Sequence, residues 1–165
     1  MIFIYNCYAG THSSSIASAV HLNKLPKDRI PAKEEVFNVD YFNRLTAKDM
    51  GRIIFRGIDE DGNKVYSLGR GSSKIIVPCM KNLITLLDNE HCLDQKIIFS
   101  NMTPTVPWIM SSGGFMSRRV GLDFLGVPLL WVGVKQSYMK VVDIVNKTKE
   151  LSKELKETVL VLENK

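Results

Sequence analysis

With 165 residues, 45% hydrophobic and 24% charged, the chain has the composition of one globular domain, not the low hydrophobicity and high net charge of a disordered segment. Its 22 basic and 17 acidic residues leave a formal charge of +5 with no run of five or six like charges, which argues against a nucleic-acid tail and slightly favours small anionic ligands. Three scattered cysteines, Cys7, Cys79 and Cys92, suit neither a disulfide framework nor a zinc site, so reduced thiols in a cytoplasmic protein without a structural metal are expected.

Residues 2 to 6 are an apolar run that breaks at once into small and polar residues, the pattern of a buried strand ending in a tight loop rather than of a signal peptide. From Ser13 the spacing turns helical, with Ile16, Ala19, Val20 and Asn23 on one face and Pro26 ending it. Residues 26 to 51 predict loop with one or two short helices, Thr46 capping the piece from 47 to 50. A hairpin follows: residues 53 to 58 and 64 to 68 flank Asp61-Gly62, a dipeptide suited to positive φ.

Gly69-Arg70-Gly71-Ser72-Ser73 links to a helix that starts between 74 and 78, where Pro78 fits a first turn, and ends near Asp88. Its apolar face would be Met80, Leu83, Ile84 and Leu87. Residues 96 to 100 read as a second buried strand, expected beside the first. Two short helical pieces, 106 to 111 and 115 to 122, are expected to be interrupted by Gly113-Gly114, and residues 128 to 134 read as a third apolar strand. The apolar stretch from 124 to 134, holding Pro128, is shorter than the roughly 20 residues of a membrane helix, so no membrane partner is expected. Residues 136 to 156 give a long amphipathic helix with Tyr138, Val141, Val142, Val145 and Thr148 inward, and residues 158 to 162 an edge strand.

Strands alternating with helices predict a single α/β domain over 1–165: a mainly parallel sheet with helices on both faces plus one β-hairpin, a three-layer sandwich of P-loop-like or Rossmann-like type. In such sheets ligands sit beyond the carboxyl ends of the strands. That points first to Cys7-Tyr8-Ala9-Gly10-Thr11-His12-Ser13-Ser14, between the first strand and the first helix. A helix start offers unpaired N–H groups and a partial positive charge, and glycine permits close approach, so Gly10, Thr11, His12, Ser13 and Ser14 are candidate phosphate-binding residues. The structural alternative is a helix cap with a solvated histidine.

The loop resembles a degenerate P-loop, with His12 for the lysine and Ser13 in the hydroxyl position. Thr11 and Asn6 replace its glycines, and the strand ending Phe99-Ser100-Asn101 lacks the usual magnesium aspartate. It also resembles the CxxxxxRS loop of low-molecular-weight tyrosine phosphatases, Cys7 being the nucleophile and Ser14 its partner, but Ser13 stands where the arginine belongs. His12 and Cys7 are thus the candidate catalytic residues, and a small buried thiol is the plain alternative for Cys7. Arg118 and Arg119, after Gly113-Gly114, are candidate anion ligands or surface ion-pair residues. Arg70, between two glycines, could close over a ligand. Asp59 and Glu60, beside the hairpin turn, could serve as base or metal ligands but suit a solvated turn equally. His21 receives no role, and Trp108 and Trp131 are expected to pack. With no basic and aromatic residues interleaved, no nucleic-acid partner is expected. The long helix and the apolar 106 to 116 segment could instead cover a partner or a homo-oligomer interface.

Four segments resemble a bacterial family found mainly in Firmicutes, domain of unknown function 3189. They are the opening strand with Cys-Tyr-Ala-Gly-Thr-His-Ser-Ser, the segment Gly-Ile-Asp-Glu-Asp-Gly-Asn-Lys-Val-Tyr-Ser-Leu-Gly-Arg-Gly, the turn Gly-Gly-Phe-Met-Ser-Arg-Arg, and Gly-Val-Pro-Leu-Leu-Trp-Val-Gly. The resemblance implies a stand-alone cytosolic protein and brings no substrate or cofactor with it. The expected function is binding of a phosphate-containing small molecule or nucleotide at the first loop. The alternatives are a Cys7-based phosphatase-like enzyme and a non-catalytic interaction or regulatory module.

Overall fold

The computed structural model describes residues 1–164, the Arg119 side chain excepted. Five strands form one sheet: β1 (Ile2–Cys7), β2 (Ile53–Ile58), β3 (Lys64–Gly69), β4 (Ile97–Asn101) and β5 (Val159–Leu162), in the order β2-β3-β1-β4-β5. β1 lies between β3 and β4 and is parallel to both, and β4 is parallel to β5. Only β2, paired with β3 through the Asp61-Gly62 hairpin, runs antiparallel, with a register shift between Phe55 and Gly57. The expected adjacency of the first strand and the 96–100 strand therefore holds.

Alternate residues of β1 feed opposite faces of the sheet. Phe3, Tyr5 and Cys7 pack with Ile16 and Val20 of α1 (Ser13–His21), with Met110 of α4 (Trp108–Phe115) and with Leu130, Tyr138 and Val142 of α5 (Asp123–Lys153). Ile4 joins Leu68, Phe99, Val77 and Ile84 under α3 (Ile76–Asn89). Of the face predicted for α3, Ile84 is buried, but Leu83 is 56% exposed because the buried stripe runs through Val77 and Ile84 instead. Short helix α2 (Lys33–Phe37) and a 3₁₀ turn (Ala47–Asp49) fill the connection from α1 to β2. Thr46 precedes that turn, its N–H and hydroxyl both donating to Asp49 Oδ2.

Two expectations fail in the same place. Residues 128–134 are not a strand, and Gly113-Gly114 do not break a helix. α5 begins at Asp123 and carries Pro128 inside it, and α4 runs through both glycines into a π-helical turn (Met116–Val120) closed by Gly121 at φ 76°. The glycines bring two helices together. A Cβ on Gly113 would lie 2.7 Å from Leu130 N and 2.8 Å from Gly126 O, and one on Gly133 would lie 2.6 Å from Met110 Cβ. Gly126, Leu130, Gly133, Val134 and Ser137 are the buried stripe of α5 here, at helical spacing. A short apolar run does not by itself separate a buried strand from such a helix. Among the described residues no helix is long and apolar enough to cross a membrane.

Candidate functional site

The parallel strands β1, β3 and β4 end together at Cys7, Gly69 and Asn101, and a pocket of about 590 Å³ opens there. Its floor is the β1–α1 loop and its walls come from the segment before β2, the exit of β4, and α4 with the π turn. The loop is shaped by close backbone contact with the start of the β3–α3 connection. Arg70 N–H donates to Cys7 O at 3.0 Å and Gly71 N–H to Tyr8 O at 2.8 Å. Gly10 takes φ 72°, and a Cβ there would lie 2.7 Å from Gly69 N, so the turn accepts only glycine.

The first hydrogen bond of α1 runs from Ile16 N–H to His12 O at 3.0 Å, and no side chain caps the helix. The amides of Ser13, Ser14 and Ser15 precede that bond at the positive end of the helix. Ser13 is fully buried and lines the pocket, and its Oγ is the one buried side-chain polar atom among the described residues with no hydrogen-bond partner. Cys7, 3% exposed, also lines the pocket. Its Sγ accepts the Gly10 N–H at 3.2 Å and lies 3.2 Å from Ser14 Oγ.

His12 is half-buried beside Gly114, where a Cβ would meet its ring at 2.6 Å. Its Nε2 faces Asn43 Oδ1 at 3.2 Å, Asn43 Nδ2 donates to Ser117 Oγ at 2.9 Å, and Ser117 donates to Asp123 at the start of α5. That chain assigns the proton to Nε2 and leaves Nδ1 as an acceptor. Burial lowers the His12 pKa to about 4, the Asn43 contact offsetting it only in part and the Arg118 charge adding to it. His12 is therefore neutral at pH 7 and brings a hydrogen-bonding ring instead of a charge.

Arg118 lines the pocket and donates to Asn43 O. Thr11 lines it with its hydroxyl turned away, donating to Tyr41 O and accepting from the Arg44 and Leu45 amides. Gly10 and Ser14 support the floor from beneath without lining the pocket. Arg70 stays at the rim, donating to Ser73 O and to Thr103, which does line it. The Arg119 side chain lies outside the described residues.

Asp59 and Glu60 lie elsewhere. The hairpin turn is next to Ile2 at the amino end of β1, opposite the pocket. Asp59 is buried there and accepts from His21 Nε2 at 2.9 Å and from Asn63 N at 2.8 Å, while Tyr5 Oη lies 2.7 Å from His21 Nδ1. Asp59 is thus a structural acceptor, and exposed Glu60 contacts Asn23 and Lys149. Trp108, expected to pack, stands 83% exposed at the first turn of α4.

Two contributors escaped the sequence. Arg56, 8% exposed, lies beneath the loop and donates to Gly10 O at 3.1 Å and Ser15 Oγ at 2.8 Å. Burial lowers its pKa to about 10, which leaves it charged at neutral pH. A cation inside Ile-Ile-Phe-Arg-Gly-Ile was the available signal. Asn43 had none, because its role exists only once the 41–45 segment folds over His12.

The family model described as "Protein of unknown function (DUF3189)" matches residues 2–150. No curated protein and no solved structure matches the chain.

Proposed function

Because the chain belongs to the DUF3189 family, whose description names no activity, we propose a function from the site alone: the pocket at the start of α1 binds a phosphate-bearing small molecule. One observation carries this, the fully buried and unpartnered Ser13 hydroxyl beside the free amides of the first helical turn. Native proteins leave few buried polar atoms unmade, and an anionic oxygen would complete this one. Arg118 supplies a cation at the same pocket, and Arg56 adds charge beneath the loop. The fold, on this proposal, is a P-loop-like or Rossmann-like sandwich using its usual ligand end.

Thermal denaturation with inorganic phosphate, nucleotides and sugar phosphates tests the proposal. Millimolar phosphate compounds should raise the midpoint of the unaltered protein and leave a Ser13→Ala/Arg118→Ala variant unmoved. Equal responses in both proteins, or none in either, defeat it.

A second proposal rests on a separate observation: two hydrogen-bonding groups, Gly10 N–H and Ser14 Oγ, converge on Cys7 Sγ. A thiolate in that position would be the form that attacks phosphorus. No carboxylate lines the pocket among the described residues to protonate a leaving oxygen, so binding remains the leading proposal. The Cys7 alkylation rate against pH, in a Cys79→Ser/Cys92→Ser background, decides it. A midpoint at or above the free-thiol value of about 8.5 removes the nucleophile.

A further inference from the structure

We infer that the ligand carries its charge on one compact phosphate-like group and is otherwise apolar, an aryl or alkyl phosphate or phosphonate as opposed to a sugar phosphate. The inference rests on the anion seat proposed above and adds what the rest of the pocket selects. Away from α1 the walls are Leu45, Met50, Val106, Met110 and Phe115, contributed by three separate segments of chain. A space of about 590 Å³ has room for a phenyl or short alkyl body next to the seat.

Most of the polar side chains on those walls already hydrogen-bond within the protein. The Thr11 hydroxyl serves the 41–45 segment, and the Thr46 hydroxyl donates to Asp49 at 3.0 Å. Thr103 accepts from Arg70 at 3.3 Å, and His12 Nε2 faces Asn43, which leaves Nδ1 as the one ring acceptor open to a ligand. Tyr8 and Ser111 sit at the exposed mouth. A sugar or ribose hydroxyl entering the pocket would leave its water shell and find few free partners, at a cost its phosphate cannot recover. A CH-rich body has nothing to lose there and gains by leaving water. No Asp or Glu lines the pocket among the described residues, so nothing selects an ammonium group on the ligand. Polar recognition is thus concentrated at Ser13, the first turn of α1 and Arg118, facing apolar surface.

Isothermal titration of the full chain with inorganic phosphate, methylphosphonate, phenylphosphonate, ribose 5-phosphate and benzyl alcohol tests this, the phosphonates being resistant to hydrolysis. Phenylphosphonate should bind at least about tenfold tighter than methylphosphonate, the low end of what removing a phenyl ring from water provides. Ribose 5-phosphate should bind no tighter than methylphosphonate. A Val106→Ser/Phe115→Ser variant should lose the phenyl increment and keep the methylphosphonate affinity. The series on the unaltered protein is decisive even where that variant folds poorly. Phosphate and methylphosphonate binding with no phenyl gain, or ribose 5-phosphate binding as tightly as phenylphosphonate, overturns this inference and leaves the anion seat standing. No anion binding, or benzyl alcohol matching phenylphosphonate, overturns the seat and the inference with it.

Discussion

At the proposed phosphate site, Ser13 makes opposite demands on folding and on binding. Its buried hydroxyl is desolvated without a partner, so removing it should not cost stability. Ser13→Ala should leave the urea midpoint unchanged or raise stability by up to about 1 kcal/mol, while abolishing the phosphate-induced thermal shift. A clear loss of stability would show that the hydroxyl has a partner after all. His12 differs, because its cost is set by pH. Its folded pKa of about 4 lies below the reference value of about 6.5, so the unfolded chain binds more protons between those values. Stability from neutral His12 is complete above about pH 6.5 and is lost as pH falls towards 4. Thermal melts of the unaltered protein and His12→Gln from pH 7 to 4.5 should therefore converge with acidification. Parallel curves would mean the ring titrates normally.

Between elements, contacts that join two pieces of chain decide the outcome. Gly113 and Gly126 let α4 and α5 approach backbone to backbone. Gly113→Ala improves helix propensity by up to about 1 kcal/mol. Its methyl, however, would meet Leu130 N at 2.7 Å, atoms that cannot swing away as a flexible side chain would. Net destabilisation of about 1–3 kcal/mol by urea denaturation is expected. A stabilised variant would mean the helix pair separates freely. At the other end of the sheet, His21 and Asp59 tie α1 to the hairpin, with Tyr5 of β1 completing the chain. Burial pushes the Asp59 carboxyl up, but hydrogen bonds from His21 and Asn63 outweigh it and hold the pKa at about 2. Its stabilising contribution is thus present above about pH 4 and fades as pH falls towards 2. Asp59→Ala should cost about 3 kcal/mol at pH 7, through the buried donors it strands, and much less at pH 2.5. Equal losses at both pH values would remove the carboxylate from the account.

At the scale of the whole molecule, the fold sorts the three thiols: Cys7 is buried, and Cys79 and Cys92 are exposed. A bulky disulfide reagent should modify two thiols of the native protein quickly and the third only on denaturation; three equally fast thiols would contradict the burial of Cys7. The β1 strand, the α1 start, the Asp61-Gly62 hairpin and the inner face of α5 from Tyr138 to Thr148 were legible in the chain, because alternation, helical spacing and turn chemistry are local properties. So was the loop at the end of β1, since an apolar run broken by small and polar residues marks where a buried strand exits. The helix over 128–134 and the role of Gly113 were not legible, because an apolar run is ambiguous until its partner is known and a glycine does not say whether it breaks a helix or admits a neighbour. Nor did the chain announce that Arg56 supports Gly10, that Asn43 holds His12, or that the hydroxyls of Thr11, Thr46 and Thr103 hydrogen-bond within the protein. Those facts join residues tens of positions apart, and only packing decides which polar atoms are satisfied and which one among the described residues, Ser13 Oγ, is left over.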